Sequence, residues 1–212
     1  MKDTVSRILE KTIEKHPPLL GQKDNILNAF YIINEAFNRG NKLLLCGNGG
    51  SASDCEHIAG ELLKSFKKKR KIRGEVYCNL DRFGKDGKLL QNTLEGALPV
   101  ISLTSHTAFN PAFLNEKSPQ AAFAQQCYAL SRDGDVLLAI STSGNSKNCV
   151  LAAITAKAAG CKIVVLTGKN ESELFDLADV TVRVPETETY LVQELHLPVY
   201  HCLCAMLEEE NF

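Results

Sequence analysis

Two turns rich in glycine and hydroxyl side chains carry the clearest chemical signal in this sequence of 212 residues. The first consists of Asn48, Gly49, Gly50 and Ser51. The second, over residues 141–146, carries its hydroxyls on Ser141, Thr142, Ser143 and Ser146. Each turn follows an apolar run and opens a helical pattern, so backbone N–H groups and the positive end of a helix would converge with the hydroxyls. Because these hydroxyls exceed what helix capping needs, we predict that both turns bind phosphate.

Two histidines, a carboxylate and an amide form the second group of chemically useful residues. His57 and Glu61 are four residues apart, which puts both on one face of a helix. Gln193 and His201 lie about two turns apart on a later helix and can line one side of a cleft. Such a set can act as acid and base or bind a metal, although His and Glu at this spacing also occur on solvated faces. His196 points away from this side, which favours a structural or interface role.

Short apolar runs alternate with helical patterns along most of the chain. The apolar runs, typical of strands buried on both faces, cover residues 43–46, 99–103, 135–140, 162–166 and 180–184. The helical patterns cover most of the first forty residues and then 147–159, 173–177 and 189–210. This alternation predicts an α/β fold with a doubly wound parallel sheet, formed by a single domain over residues 1–212. The stretch 66–98 gives no clear pattern.

Composition disfavours several classes of protein. Hydrophobic residues make up 44% of the chain and charged residues 23%, and the net charge of −1 gives no electrostatic basis for binding nucleic acid. No apolar run approaches the roughly 20 residues of a membrane span, and the N-terminus lacks the features of a signal peptide. The eight cysteines are therefore interpreted as free thiols in a reducing compartment. We expect a cytoplasmic protein without nucleic-acid or membrane partners.

A basic run over residues 67–73 is the charged feature that could bind phosphate or nucleic acid. Runs of this kind more often belong to a solvated surface, so we predict an exposed helix end at this position. The alternative of an anion-binding patch stays open on the sequence alone.

Taken together, the motifs resemble those of phosphoheptose isomerases, which belong to the sugar isomerase (SIS) domain proteins. The similarity runs from about residue 25 to the C-terminus and rests on residues 47–51 (GNGGS), His57-x-x-x-Glu61, 135–146 (DVLLAISTSGNS), 166–168 (LTG) and Gln193-Glu194-Leu195-His196-x-x-x-x-His201. The serine-rich turn is similar to that of SIS proteins in general. The combination of His57, Glu61, Gln193 and His201 resembles the isomerase branch.

The resemblance implies conversion of sedoheptulose 7-phosphate, a ketose, into D-glycero-D-manno-heptose 7-phosphate through an enediol(ate). It implies that Glu61 and His201 transfer protons, and that the two turns and Gln193 contact the substrate. Some relatives hold zinc through residues matching His57, Glu61, Gln193 and His201. The resemblance further implies a homotetramer assembled through the N-terminal helices, residues 1–40. There we expect an exposed apolar stripe formed by Val5, Ile8 and Leu9.

Three departures from the family pattern bear on the identity of the sugar more than on the reaction. Tyr190 stands where the family usually has an acidic residue, a substrate-contacting aspartate aligns loosely with Thr107, and the segment 83–98 resembles an insertion. An isomerase of another sugar phosphate is therefore one alternative. Another is a non-catalytic SIS protein similar to the replication-initiator-associating tetramers, which lack residues matching Glu61 and His201. A third, a sugar-phosphate sensor, usually carries a helix-turn-helix domain, for which the first forty residues leave too little room.

Overall fold

A five-stranded parallel sheet forms the centre of the protein, seen in a computed structural model that describes residues 2–212. Its strands are β1 (Leu43–Gly47), β2 (Val100–Ser102), β3 (Val136–Ile140), β4 (Lys162–Thr167) and β5 (Val180–Arg183). The spatial order is β2-β1-β3-β4-β5, and every neighbouring pair is parallel. The predicted α/β class and its doubly wound parallel sheet are thereby confirmed.

Within residues 2–212, α-helices cover both faces of the sheet. They are α1 (Asp3–Lys15), α2 (Lys23–Asn38), α3 (Gly50–Leu63), α4 (Glu75–Asn79), α5 (Gly84–Thr93), α6 (Phe109–Glu116), α7 (Ala122–Leu130), α8 (Lys147–Ala158), α9 (Glu173–Leu177) and α10 (Thr189–Asn211). Two 3₁₀ turns, Pro17–Gln22 and Leu80–Phe83, connect α1 to α2 and α4 to α5. The helices predicted from periodicity are present, whereas α4 to α7 had no counterpart in the prediction.

Apolar side chains on both faces of the sheet explain why the strand sequences are almost wholly hydrophobic. In β3, Val136, Leu138 and Ile140 belong to a core shared with α1, α2, α3 and α10. Leu137 and Ala139 face the opposite side, where the core is shared with α7 and α8. Alternate side chains of a strand point to opposite faces. Burial on both faces is the usual environment of a parallel sheet, and it removes the polar alternation seen in one-sided sheets.

The N-terminal helix does not expose the apolar stripe that was expected. Val5 and Leu9 are 0% and 2% exposed and pack in the core beside α10, and Ile8 is partly buried against the same core. A hydrogen bond of 2.9 Å from Thr4 Oγ1 to Glu209 Oε1 joins α1 to α10. The amphipathic helix was predicted correctly, but the long C-terminal helix of the same chain covers its apolar face. Val5 and Leu9 therefore offer no exposed surface, while assembly through residues 1–40 stays a prediction.

The basic run over residues 67–73 is not a helix end, contrary to the prediction. α3 ends at Leu63, and the run follows an irregular path beside the end of α10. Arg70 is 2% exposed and pairs with Glu208 of α10 at 2.8 Å. The lysines of the run stay partly or largely exposed. One arginine of the run therefore belongs to the interior.

Helices α3 and α10 lie side by side and run in the same direction. Gln193, near the start of α10, rests against Gly50 at the start of α3. Midway along both helices, Tyr200 lies beside His57. Near the end of α10, Glu208 binds the chain just after α3. Both helices thus begin at the carboxyl edge of the sheet and end together, and we refer to the surface along their line of contact as the groove.

The cysteines agree with the prediction of free thiols. All eight are unpaired, seven are buried and only Cys78 is exposed. Burial raises the pKa of the Cys127 thiol to about 12, so this group stays protonated and packs as a small apolar side chain. Among residues 2–212, no helix combines the length and apolarity that a membrane span requires.

Candidate active site

Three of the predicted site residues meet between α3 and α10. His57 and Glu61 lie one turn apart on α3, with 3.2 Å between His57 Nε2 and Glu61 Oε1. His201 of α10 brings its own Nε2 to 3.4 Å from His57 Nε2. The side chain of His57 is 42% exposed and that of Glu61 is 14% exposed, so both can be reached from solvent. The structure thus brings together two imidazoles and a carboxylate that are far apart in the sequence.

The Tyr200 hydroxyl determines which nitrogen of His57 carries the proton. It donates to Asp54 Oδ1 at 3.1 Å and lies 3.2 Å from His57 Nδ1. A phenol has a single proton. Since that proton goes to Asp54, the contact with His57 requires a proton on Nδ1. With the proton on Nδ1, the His57 Nε2 atom faces the Glu61 carboxylate at 3.2 Å, so a proton or a cation is needed between these two acceptor atoms.

Burial keeps the His201 imidazole neutral. Its pKa is lowered by burial and, to a smaller extent, by the nearby His57, while Glu61 acts in the opposite direction. A neutral imidazole has one donor and one acceptor nitrogen, so it can give and take a proton in the same step. His201 therefore has the protonation state that an acid–base group needs near pH 7.

Asp54, which accepts a hydrogen bond from the Tyr200 hydroxyl, has a pKa shifted in the other direction. Burial raises its pKa, although the hydrogen bond from Tyr200 and the charge of His57 act to lower it.

A cavity of about 440 Å³ adjoins His201. It lies between α1, the chain just after α3 and the outer face of α10, and its basic lining residues are Lys11, Lys15, His16 and Lys67. The Phe66 ring lies 5.7 Å from the His201 ring, tilted by 34°. The volume is suited to a small molecule, and the basic residues outnumber the one acidic lining residue, Glu194, which favours an anionic one.

The serine-rich turn between β3 and α8 is compact and depends on glycine. Ser141 is 3% exposed, and its hydroxyl donates to Ser146 Oγ at 3.0 Å. The Ser143 hydroxyl accepts from a backbone N–H two residues ahead at 3.2 Å. Gly144 has a φ of +66°, and a Cβ there would come within 2.1 Å of Ser172 Oγ. This conformation therefore requires glycine.

A polar cavity of about 280 Å³ opens beside the serine-rich turn. Thr142 and Ser143 contribute to its lining, together with Lys169 from the loop after β4. Hydroxyl groups and an ammonium group around one opening are suited to a phosphate. The residues at this opening do not include His201, so the predicted phosphate site and the acid–base group open onto two different cavities of one chain.

The first turn lies directly beside the second because β1 and β3 are neighbours in the sheet. Asn48 and Asn148 exchange two amide hydrogen bonds of 2.9 and 2.8 Å across the gap. Ser51, 3% exposed, opens α3 on one face of the sheet, while α8 packs on the other. The chain changes its direction of winding between β1 and β3, which is where open α/β sheets bind ligands. Both predicted phosphate turns therefore meet at one edge.

Gln193 lies apart from the histidines. A Cβ on Gly50 would come within 2.6 Å of Gln193 Nε2, so the amide rests directly on the start of α3. A rise of 1.5 Å per residue puts Gln193 about 12 Å from His201 along α10. The four-ligand set that the family resemblance implies is therefore incomplete within one chain, because its glutamine lies at the other end of the groove.

His196 is fully buried, and burial lowers its pKa to about 4, slightly opposed by a contact with the Thr167 backbone. It faces the sheet rather than the groove. Burial within the chain agrees with the structural part of the expected structural or interface role.

Two supporting residues, Asp54 and Tyr200, were missed by sequence reasoning. Asp54 lies three residues before His57, and Tyr200 lies one residue before His201. Their positions in the sequence, next to predicted site residues, could have identified them. Their hydrogen bond to each other could not be predicted, because Tyr200 and Asp54 are 146 residues apart in the chain.

Glu56 is a further missed carboxylate at the same edge of the sheet. Its oxygens accept hydrogen bonds from the hydroxyls of Ser102, Thr104 and Ser105. Burial alone would raise the pKa of Glu56, but these hydrogen bonds outweigh it and lower the pKa. Thr107, which aligns loosely with a family aspartate, lies two residues beyond Ser105 and is exposed. Glu56 of α3 therefore places a carboxylate beside the loop that follows β2.

The fit of the groove to zinc is partial. His57 directs Nε2 toward Glu61 and His201 while its Nδ1–H donates to the Tyr200 hydroxyl, so a hydrogen bond orients the ring as in other zinc-binding histidines. Glu61 and His201 add an oxygen and a second nitrogen, the donor types that zinc prefers. Within residues 2–212, however, no group of three or more His, Cys, Asp or Glu side chains has the spacing of a metal centre. The donors are present, but a preformed site is not.

Comparison with known proteins decides the family. Two family models, both described as SIS domain, match residues 111–205 and 2–95. A phosphoheptose isomerase from a Nitratiruptor species is 36% identical over 200 residues, which cover 94% of this chain and 92% of the relative. The chain belongs to the phosphoheptose isomerase family. A second family member, from Alteromonas mediterranea, is 38% identical over 192 residues, which cover 89% of this chain and 84% of the relative.

A solved structure shows that the phosphoheptose isomerase fold extends over the whole chain. The phosphoheptose isomerase from Francisella tularensis superposes with a TM-score of 0.73 at 27% identity, covering 99% of this chain and 100% of that one. The resemblance inferred from the motifs is confirmed.

Proposed function

We propose that the protein is an isomerase that converts sedoheptulose 7-phosphate into D-glycero-D-manno-heptose 7-phosphate. The observation that carries this proposal is the meeting of His57, Glu61 and His201 between two helices that start at the phosphate-binding edge. Relatives that are 36% and 38% identical over most of the chain are named phosphoheptose isomerase. Acid–base groups along the groove and anion-binding turns at its start are what this substrate class requires.

The reaction needs a base for a carbon-bound proton and a group that moves protons between two oxygens. We assign the first role to Glu61, whose carboxylate takes a proton from C1 of the ketose and returns it to C2. We assign the second to His201, which donates a proton to the carbonyl oxygen at C2 and accepts the hydroxyl proton at C1. The enediol(ate) forms between these two steps. The neutral state of His201 supports this double role.

The phosphate turns orient the sugar for these proton transfers. Ser51 lies about 9 Å from His57 along α3, at a rise of 1.5 Å per residue. We propose that one substrate spans both regions, with its phosphate held by residues 48–51 and 141–146 and its reacting carbons beside Glu61 and His201, although no single cavity of one chain encloses both. An anchor of this kind reduces the entropy that the reaction must otherwise lose in the transition state.

Incubation with a panel of sugar phosphates tests this function. Purified protein should convert sedoheptulose 7-phosphate to the aldose faster than it converts ketohexose phosphates, as followed by chromatography of the products. Absence of exchange with every member of the panel would contradict the isomerase proposal.

Another sugar phosphate is the second candidate, because two family contacts differ in this chain. Tyr190 is 61% exposed and adjoins Thr189, which lines the polar cavity at the serine-rich turn. Glu56 brings a carboxylate to the loop after β2. Faster conversion of a different ketose phosphate in the panel would favour this candidate. The presence of both Glu61 and His201 speaks against a non-catalytic SIS protein.

The donor atoms of the side chains in the groove are of the types that zinc prefers. We propose that His57, Glu61 and His201 are the residues that would hold the ion, with Gln193 too far away within one chain. A bound zinc ion would supply a Lewis acid that polarises the substrate carbonyl. A side chain that coordinates zinc tightly cannot also act as a free base, so the proton transfers described above are assigned to Glu61 and His201 without a tightly held ion.

Removal and return of zinc tests this part of the proposal. We expect protein dialysed against a chelator to bind added zinc in a calorimetric titration, and His201→Ala to weaken that binding about tenfold or more. His106→Ala changes an exposed histidine outside the groove and serves as the control. Equal zinc affinity in His201→Ala and the unmodified protein would contradict the assignment.

We also propose that the protein assembles as a homotetramer in the cytoplasm. Leu197 of α10 is 41% exposed and lines the cavity beside His201. This cavity is open to solvent on the outer face of α10. A second copy packed there would enclose His201. Light scattering should give about four times the chain mass of 23.3 kDa. A dilute monomer with full activity would contradict this assembly.

The eight unpaired cysteines support the proposed location in a reducing compartment.

A further inference from the structure

We infer that Arg70 is a positioning residue that holds the helices of Glu61 and His201 in register, an inference that rests on the isomerase activity proposed above. The Arg70 side chain is 0% exposed, and that of its partner Glu208 is 2% exposed. Burying a guanidinium is costly unless its N–H groups find acceptors. The acceptors that Arg70 finds lie on both helices of the groove.

On one side, Arg70 closes the end of α3. Its Nη2 donates to the Glu61 carbonyl and its Nη1 to the Leu62 carbonyl, both at 2.8 Å. The last carbonyls of a helix have no partners within the helix, and a cation at that end is favoured by the helix dipole. Because Glu61 itself supplies one of these carbonyls, Arg70 fixes the backbone from which the proposed base projects.

On the other side, Arg70 binds α10 through Glu208. Its Nε donates to Glu208 Oε1 at 2.8 Å. Glu208 lies seven residues after His201, which is two helical turns further along nearly the same face. The Glu208 carboxylate also accepts the N–H groups of Phe66 and Lys67 at 2.9 and 2.8 Å. These bonds therefore also fix Phe66, whose ring lies against His201.

The Glu208 carboxylate remains ionised in this setting. Burial alone would raise its pKa, but the N–H groups of Phe66 and Lys67 and the guanidinium of Arg70 outweigh burial and lower it. The pair therefore keeps both charges near pH 7. A planar guanidinium can reach three acceptors in fixed directions, whereas a lysine ammonium at the same place cannot match that geometry. A displacement of about 1 Å at a reacting group can lower a rate a hundredfold.

Arg70→Lys tests the inference, since it keeps the charge and loses the three-point geometry. We expect kcat to fall about 10- to 100-fold while KM changes less than about threefold. The primary isotope effect on kcat, measured with ketose deuterated at C1, should rise, because proton removal by Glu61 becomes slower than the other steps. A preparation of the variant that merely contained less folded protein would show the same isotope effect as the unmodified protein.

Lys68→Gln is the matched control. Lys68 pairs with Glu209 at 2.9 Å and joins the same irregular segment to α10, without a bond to α3. The Lys68→Gln substitution should leave kcat and the isotope effect unchanged. Unchanged kcat and isotope effect in folded Arg70→Lys would overturn the inference. If Arg70→Lys does not fold, Glu208→Gln, which keeps an oxygen acceptor for Arg70, receives the same measurements. Loss of folding in both would mean that the contact serves the fold alone, which also overturns the inference.

A second readout separates this inference from the proposed function. The ring signals of His57 and His201 in NMR spectra at constant pH should shift in Arg70→Lys and stay in place in Lys68→Gln. If the unmodified protein converts no sugar phosphate but these shifts occur, the function fails and the positioning role stands. If the unmodified protein is active and neither the kinetics nor the spectra respond to Arg70→Lys, the positioning role fails.

Discussion

Glu61→Gln should lower kcat by about two or more orders of magnitude, because glutamine keeps the shape of the side chain but cannot accept a proton from carbon. His201→Ala should have an effect of similar size, since no group would then move protons between the two substrate oxygens. KM should change much less in both variants, because the turns that bind phosphate are untouched. Steady-state kinetics with sedoheptulose 7-phosphate measure the loss, and circular dichroism melting checks the fold.

The pH dependence gives this prediction a second test. The lowered pKa of His201 means that the imidazole becomes protonated only below its ordinary value of about 6.5. Activity should therefore fall on the acid side with an apparent pKa below that value, and this limb should change in His201→Ala. Glu35→Gln is the matched control, because Glu35 pairs with Arg39 four residues on, at an exposed position of α2. Near-normal turnover of Glu61→Gln or His201→Ala would refute the assigned roles.

The double variant Thr142→Ala, Ser146→Ala should raise KM about tenfold or more with a smaller change in kcat. A hydrogen bond to a charged group contributes about 1.5–3 kcal/mol, and the phosphate would lose two of them. The melting temperature should change less than KM, because the Ser146 side chain makes no capping hydrogen bond to α8 and loses only the bond that it accepts from the Ser141 hydroxyl. Kinetics and thermal melting on the same preparations measure both effects.

A control on α8 and a substrate without phosphate sharpen this test. Thr155→Ala removes a hydroxyl that bonds within α8, to the Leu151 carbonyl at 2.9 Å, away from the turn. It should leave KM unchanged. Sedoheptulose itself should be handled equally poorly by the double variant and the unmodified protein. A normal KM in the double variant would mean that the phosphate binds elsewhere.

Local sequence signals predicted those elements that depend on local chemistry. The helical pattern of the first forty residues includes α2, and the pattern at 173–177 coincides with α9, because apolar spacing and terminating residues act within the segment itself. The strand runs were found because a buried parallel strand is apolar throughout. The two glycine- and hydroxyl-rich turns were also found locally, since each needs only such residues between a strand and a helix, and their binding of phosphate stays a prediction.

Features that depend on distant partners could not be predicted from the sequence. Arg70 looked like part of a solvated run because its partner, Glu208, lies 138 residues away. Val5 and Leu9 looked like an assembly surface because nothing local shows that α10 covers them. For the site, residue types were enough to select His57, but its tautomer depends on Tyr200, which only the fold places beside it.

The common direction of α3 and α10 gives the groove an electrical polarity. Their partial positive charges lie together at the end with Gly50 and Gln193, and their partial negative charges lie together at the end that Arg70 closes. The two helix dipoles should therefore favour a sugar monophosphate that approaches with its anionic end toward the turns. The basic side chains at the His201 cavity act in the opposite direction, so a sugar with phosphates at both ends would meet positive charge at each.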